Sequence, residues 1–211
     1  MGDLSYIRDP EEIYRQSFAT IEAEASLPAR SSGMRAVAIR MIHACGMVDL
    51  VSDMRFSEGA AEAGTRALVA GKPVFCDVEM VRAGIIASRL PASNERVCTL
   101  NDPRAADIGK ASGNTRSAAS VELWDERLEG AIALIGNAPT ALFRLLELID
   151  GGLPRPALII GVPVGFVGAA ESKAELAANA RGCDFITVLG RRGGSAVAAA
   201  ALNALCPGGR R

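Results

Sequence analysis

The stretch AIALIGNAPTALFRLLELIDGGLPRPALIIGV, residues 131–162, contains two short apolar segments separated by a helical pattern. Segments 131–135 and 157–162 are apolar almost throughout, as expected of strands buried on both faces of a parallel sheet. Between them, residues 139–149 repeat apolar side chains at helical spacing. A strand, a helix and a second strand in this order predict an α/β fold.

The same alternation of strand and helix continues on both sides of this stretch. Short apolar segments predict further strands over residues 74–78, 97–100 and 185–189. Helical patterns cover residues 79–88, 116–128, 170–181 and 194–205. Five such strands predict a flavodoxin-like three-layer sandwich, in which a mostly parallel five-stranded sheet is covered by helices on both faces.

The N-terminal part of the chain shows helical patterns and no predicted strand. Asp9 is placed to act as an N-cap, Pro10 suits the first helical position, and Glu12 is placed to complete a capping box. Two more helices are predicted over residues 34–47 and 57–70. We therefore expect extra N-terminal helices, and a single domain over residues 1–211 because no linker or shift in composition divides the chain.

Composition and charge argue against several classes of protein. The 23 basic and 24 acidic residues leave a net charge of -1, whereas a general nucleic-acid binder normally carries a basic excess. The five cysteines are odd in number and form no CxxC pair, so we expect free thiols. The chain shows neither a signal peptide nor an apolar stretch long enough to span a membrane, which predicts a cytoplasmic location.

His43 is the only histidine, which limits the chemistry available to the chain. A zinc site built from several histidines is excluded, and no GxSxG motif presents a serine for a triad. Arg40 lies three residues before His43, on the same face of a predicted helix. Histidine is the natural proton donor near neutral pH, but a lone helical histidine is more often structural. The pattern alone leaves both interpretations open.

Two glycine-rich turns follow predicted strands, GVPVGFVG at 161–168 and GRRGGS at 190–195. Neither matches GxGxxG or the P-loop, so a nucleotide is poorly supported. Their backbone amides suit a carboxylate or phosphate, although ordinary βα turns and a solvated loop explain the same residues. Because the carboxyl ends of parallel strands meet at one edge, we expect a crevice there. Its expected neighbours are Asp77, Asn101, Asn137, Pro163 and Arg191.

Six motifs, in order along almost the whole chain, resemble the precorrin-8X methylmutase family. They are EEIYRQSFATIE at 11–22, RMIH at 40–43, DVEMV at 77–81, IGNAPTAL at 135–142, GVPVGFVGAAESK at 161–173 and GRRGGS at 190–195. The fifth motif is long and particular enough to make a chance match a poor explanation.

The resemblance implies an isomerase of cobalamin (vitamin B12) biosynthesis that converts precorrin-8X, a tetrapyrrole bearing acetate and propionate groups, into hydrogenobyrinic acid. A methyl group moves from C-11 to C-12, and no metal or organic cofactor is implied. His43 takes the place of the family's catalytic proton donor. Ser17 and Arg40 are implied as substrate contacts, with Arg116 and Lys173 as further carboxylate partners. The resemblance also implies a homodimer, and we expect no nucleic acid or membrane as a partner.

Three alternatives stay open at this point. A tetrapyrrole carrier without turnover would use the same pocket, and only His43 beside Arg40 favours the enzyme. A flavodoxin-like nucleotide or flavin module is suggested by the fold class and opposed by the missing phosphate motifs. Within the family the substrate is either metal-free or cobalt-loaded, and the GRRGGS ending favours the metal-free form.

Several candidate contacts have a purely structural alternative. Met41, Met80 and Phe166 are candidates for contact with the apolar face of a macrocycle, although core packing is the safer interpretation. Ser17 lies in an otherwise apolar stripe, where its hydroxyl would ordinarily bind the helix backbone.

Overall fold

A six-stranded sheet organises the part of the chain that the structure describes, residues 4–28 and 32–208 of a computed structural model. The strands are β1 Met54–Phe56, β2 Val74–Cys76, β3 Arg96–Cys98, β4 Ile132–Ile135, β5 Leu158–Gly161 and β6 Asp184–Val188. They lie in the order β1-β6-β5-β4-β2-β3, with β1 antiparallel to β6 and every other pair parallel. The predicted domain bounds, residues 1 and 211, lie outside the described residues.

Ten α-helices lie among the described residues. They are α1 Pro10–Glu24, α2 Ser32–Cys45, α3 Leu50–Asp53, α4 Ala60–Val69, α5 Glu79–Gly84, α6 Pro103–Ser112, α7 Arg116–Val121, α8 Pro139–Asp150, α9 Ala169–Ala178 and α10 Ser195–Leu205. Short 3-10 helices follow α5 and α7, at Ala87–Arg89 and Glu122–Leu128. No helix in the described ranges is both long and apolar enough to cross a membrane.

Alternation along the strands divides the buried side chains into two cores. In β4, Ile132 and Leu134 face a core shared with α2, α4 and α10, whereas Ala133 and Ile135 face a core shared with α7, α8 and α9. Both faces of the sheet are therefore covered by helices, which is why its central strands are apolar throughout. α1 packs on α2 and buries only Ile21.

The predicted start of α1 is correct in position and wrong in one detail. The Asp9 carboxylate caps the helix by accepting a hydrogen bond from the Glu11 amide at 3.0 Å, and Pro10 is the first helical residue. Glu12 was predicted to complete a capping box. Its carboxylate instead accepts hydrogen bonds from Arg15 and Gln16, because these partners lie one turn along the same helix face.

The prediction of five strands is one short, because β1 has no apolar signature. Its central residue is Arg55, and the strand is held by pairing with β6 at the edge of the sheet. The predicted helix over 116–128 is also wrong beyond residue 121. The chain turns at Asp125, whose φ is 46°, and the turn buries Trp124 and Leu128. The helix α6, which begins at Pro103 directly after its N-cap Asp102, was not predicted.

Candidate active site

His43 lies exposed in the last turn of α2, against two aromatic rings from α1. Its ring centre is 5.6 Å from that of Tyr14 and 5.4 Å from that of Phe18. Arg40, one turn earlier, holds its guanidinium 5.0 Å from the centre of the Phe18 ring and 5.9 Å from that of Tyr14. Tyr14 and Phe18 therefore hold the His43 imidazole and the Arg40 guanidinium next to each other on one surface.

The Arg40 side chain is half-buried beside a second arginine. Burial lowers the pKa of Arg40, and the positive charge of Arg89 lowers it further, while Tyr14 opposes both effects. The guanidinium stays charged at neutral pH because its ordinary pKa is far higher. Two neighbouring guanidinium groups create a positive potential that favours an anionic ligand.

Asn203 of α10 fixes the segment that carries Arg89. Its side-chain amide donates to the Gly84 carbonyl at 2.9 Å and its oxygen accepts from the Ile86 amide at 3.0 Å. These bonds hold the end of α5 on α10, and the 3-10 helix at Ala87–Arg89 follows directly. Sequence reasoning missed Arg89 because no local pattern links it to Arg40.

Ser17 lies on α1, one turn after Tyr14, and is half-buried. Its hydroxyl makes no hydrogen bond to any residue within 4–28 or 32–208, so the bond to the helix backbone considered above is not found there. A hydroxyl in this position is available to a ligand.

A cavity of about 490 Å³ lies beside Arg40, between α1, α2 and the end of α10. Phe18, Arg40, Thr65 and Cys206 are among its lining residues. Arg40 therefore contacts the same aromatic rings as His43 and also lines this cavity.

Asp77 follows β2 and organises the neighbouring loop from within the protein. Its buried carboxylate accepts hydrogen bonds from the amides of Gly136, Asn137 and Ala138, at 3.0, 2.8 and 2.8 Å. Burial raises the pKa of Asp77, and the three amide donors oppose that rise. We expected Asp77 to line the crevice at the carboxyl edge of the sheet. Its carboxylate faces the backbone of the loop after β4 instead, because three orphan amides there need an acceptor.

Two hydrogen bonds join the loop after β5 to the loop after β6, and a third joins α9 to the loop after β6. The Gly194 amide donates to the Val162 carbonyl at 2.9 Å, and the Gly165 amide donates to the Arg191 carbonyl at 3.2 Å. The third is donated by Lys173 Nζ to the Arg192 carbonyl at 2.5 Å. These bonds make one braced unit of the two glycine-rich turns.

Lys173 is fully buried where it supports this unit. Burial lowers the pKa of Lys173 to about 8, and the nearby Asp53 carboxylate opposes the shift. In this arrangement the ammonium faces the loop rather than solvent.

The arginines at the carboxyl edge of the sheet differ in their partners. Arg192 is held by Asp49 at 2.7 Å and by Asp53 at 2.5 Å, which ties the loop after β6 to the segment after α2. Arg191 and Arg116 are exposed and form no ion pair with a carboxylate in the described ranges. Arg116 begins α7, whose cap residue Thr115 hydrogen-bonds through its hydroxyl to a residue in the first turn of α8.

The structure divides the predicted site residues between the two helical layers. Ser17, Arg40 and His43 lie together on α1 and α2, whereas Arg116 and Lys173 lie on α7 and α9, across the sheet. Among the residues that the structure describes, no group of three histidine, cysteine or acidic side chains is arranged to hold a metal ion.

The three candidates for contact with the apolar face of a macrocycle differ in their burial. Met41 is buried in the core, as the structural interpretation expects. That interpretation is wrong for Met80 and Phe166, which are 73% and 83% exposed. Both lie in segments that follow strands at the carboxyl edge, where hydrophobicity alone does not distinguish a ligand contact from a core residue.

Together the fold and the site define an α/β protein with a single exposed imidazole and an arginine-rich surface suited to a polycarboxylate. A model of the precorrin-8X methylmutase family matches residues 12–207. The chain belongs to this family, whose members are isomerases.

Individual relatives match this chain over most of their length. Precorrin-8X methylmutase of Pseudomonas aeruginosa is 58% identical over 96% of this chain and 97% of its own. Cobalt-precorrin-8 methylmutase of Priestia megaterium is 38% identical over 93% of this chain and 87% of its own. A crystal structure of precorrin-8X methylmutase from Thermus thermophilus has a TM-score of 0.82 and 39% identity, and the match covers 93% of this chain and 94% of that one.

Proposed function

We propose that this protein converts precorrin-8X into hydrogenobyrinic acid in cobalamin biosynthesis by moving a methyl group from C-11 to C-12. The observation that carries the proposal is the exposed His43 on α2, held beside Arg40 by two aromatic rings, in a chain of the methylmutase family. An intramolecular shift of this kind needs no nucleophile from the protein. Its requirements are a fixed macrocycle and a well-placed proton donor.

The catalytic step assigns one role to His43. The protonated imidazole donates a proton to the ring nitrogen next to the migrating methyl group, and the methyl's bond to C-11 breaks as its bond to C-12 forms and the ring double bonds shift. The proton then returns to the imidazole, so that substrate and product are isomers. Imidazole suits this role because it holds and releases a proton near neutral pH. Tyr14 and Phe18 support the proposal because they limit the orientations of the imidazole.

Substrate contacts are proposed for Ser17, Arg40, Arg116 and Lys173. Arginine binds a carboxylate through paired, charge-assisted hydrogen bonds, which suits the acetate and propionate groups of the substrate. Arg40 is supported by its place beside both His43 and the cavity. A direct contact by Lys173 requires its ammonium to leave the Arg192 carbonyl.

We propose the metal-free tetrapyrrole as the substrate. The relative named for precorrin-8X is 58% identical, and the relative named for cobalt-precorrin-8 is 38% identical. The test is anaerobic incubation of the purified protein with each substrate, followed by the visible spectrum. Conversion of precorrin-8X in preference to its cobalt form supports the proposal, whereas binding without conversion of either indicates a carrier.

We further propose a homodimer. The N-terminal segment exposes large apolar side chains whose contact with water is unfavourable. They are Leu4, Tyr6, Ile7, Ile13 and Tyr14, exposed by 78%, 65%, 42%, 42% and 43%. A second copy of the chain would bury them.

Three broader assignments belong to the same proposal. The parallel strands, numbered along the chain from β2, have the order 2-1-3-4-5, which supports a flavodoxin-like core with β1 added at one edge. We propose one domain over the whole chain, in support of which all six strands join one sheet. The five free cysteines support a cytoplasmic location, where thiols stay reduced.

A further inference from the structure

The loop after β5 exposes three apolar side chains at the carboxyl edge of the sheet. Val164, Phe166 and Val167 are 46%, 83% and 89% exposed, within four residues of sequence. Contact between water and this much apolar surface is unfavourable. Contiguous exposed apolar side chains are typical of surfaces that bind another molecule.

An arginine accompanies this apolar surface. The Arg191 guanidinium lies 5.3 Å from the centre of the Phe166 ring. Its neighbour Arg192 is neutralised by two aspartates, whereas Arg191 has no carboxylate partner in residues 4–28 or 32–208. The charge of Arg191 is therefore open to an anionic group from outside the chain.

The bracing between the two loops fixes Phe166 and Arg191 relative to each other. Phe166 follows Gly165, whose amide donates to the carbonyl of Arg191, and the buried ammonium of Lys173 holds the next carbonyl of the same loop. A pair that is already ordered loses less conformational freedom when a ligand binds. The occupant this surface fits has an apolar face bordered by carboxylates.

We infer that Phe166 and Arg191 form a specificity-determining pair for the tetrapyrrole substrate. The Phe166 ring lies against an apolar face of the macrocycle, and the Arg191 guanidinium binds one of its peripheral carboxylates. The ammonium of Lys173 braces the loop that carries Arg191 through its hydrogen bond to the Arg192 carbonyl. The inference rests on the proposed function, because that function supplies a ligand with both features.

The test measures turnover of precorrin-8X and binding of hydrogenobyrinic acid by the full chain. In Phe166→Ala and in Arg191→Gln, KM and the product Kd rise roughly tenfold, while kcat stays within about twofold. The Kd of Arg191→Gln also depends less on salt, because one charge pair is lost.

Two matched controls remove similar groups at the opposite edge of the sheet. Val69→Ala removes an apolar side chain that is 57% exposed at the end of α4, and Arg155→Gln removes an exposed arginine shortly before β5. Both variants keep the parental KM and Kd.

The outcomes separate the inference from the function on which it rests. If the parent converts the substrate and both site variants keep the parental KM and Kd, the inference is wrong and the proposed function stands. If Phe166→Ala instead dissociates an oligomer without changing Kd, the loop belongs to a contact between copies and the inference is again wrong. A parent that neither converts precorrin-8X nor binds the product overturns both.

Discussion

Two aromatic side chains determine how the candidate active site presents its charged and titratable groups. Tyr14 and Phe18 lie one turn apart on α1 and contact both Arg40 and His43 on α2. A guanidinium over an aromatic ring gains about 0.5–2 kcal/mol, depending on how far it is desolvated. The long Arg40 side chain is therefore partly ordered before a substrate carboxylate arrives.

Arg40→Ala tests the carboxylate contact at the same scale. Loss of one charged hydrogen bond should cost about 1.5–3 kcal/mol, so KM should rise roughly 10- to 150-fold with a smaller change in kcat. The measurement is steady-state turnover of precorrin-8X. The control is Arg104→Ala on α6, whose exposed arginine pairs with Asp102 at 2.7 Å away from the cavity and should leave KM close to the parent value. An unchanged KM in Arg40→Ala would remove Arg40 from the site.

At the scale of elements, the braced turns after β5 and β6 depend on glycine at position 193. Gly193 has a φ of +154°, and a side chain built there would overlap the Val162 carbonyl oxygen. Gly190 has a φ of +76°, and a side chain built there would meet no atom within 4 Å. A side chain at position 190 would therefore introduce backbone strain alone, whereas one at position 193 would introduce both backbone strain and steric overlap.

Alanine substitutions at these positions should differ in their effect on stability. We expect Gly190→Ala to lower the free energy of unfolding by about 1–2 kcal/mol, through the left-handed backbone alone. Gly193→Ala should lower it by about 3 kcal/mol or more, since overlap adds to strain. Urea denaturation of both variants measures the difference. Equal losses would mean that the two loops are not packed as described.

Lys173, which supports the braced turns from α9, predicts that the stability of the protein depends on pH. Burial lowers the pKa of Lys173 from 10.5 to about 8, so between these values the unfolded chain binds more protons than the folded chain. The parent should therefore gain stability over Lys173→Met as the pH rises from about 8 towards 10.5. The gain should be no more than about 3 kcal/mol.

Urea denaturation of the parent and of Lys173→Met at pH 7, 8, 9 and 10 measures this gain. The difference between the two proteins should be flat below pH 8, where Lys173 is charged in both states. A difference that does not change above pH 8 would contradict a buried ammonium.

At the scale of the whole molecule, the exposed apolar N-terminal segment predicts self-association. Sedimentation equilibrium should give twice the chain mass. The double variant Ile7→Glu/Ile13→Glu should give a single chain mass, because an unpaired charge at a buried interface is costly. Thr20→Glu, at another exposed position of α1, should remain dimeric. A parent that sediments as one chain would contradict the proposal.

The sequence predicts those parts of the molecule whose signals are local. Apolar runs predicted the parallel strands, because the central strands β2, β4 and β5 are buried on both faces, and β1 was missed because Arg55 interrupts it. His43 and Arg40 were identified as neighbours because residues three positions apart on a helix share a face. The proximity of Arg89 to Arg40 and the burial of Lys173 depend on contacts between distant elements, which no local pattern contains.

The measurement that tests the central claim most directly follows a labelled methyl group. Precorrin-8X carrying ¹³C in the methyl group on C-11 is incubated anaerobically with the parent and with His43→Ala, and the product is examined by NMR. The parent should yield hydrogenobyrinic acid with the label on C-12. His43→Ala should bind the product nearly as well as the parent and convert substrate roughly 10²- to 10⁴-fold more slowly, because only the proton donor is lost. A label that stays on C-11 with the parent protein, or parental turnover by His43→Ala, would contradict the account.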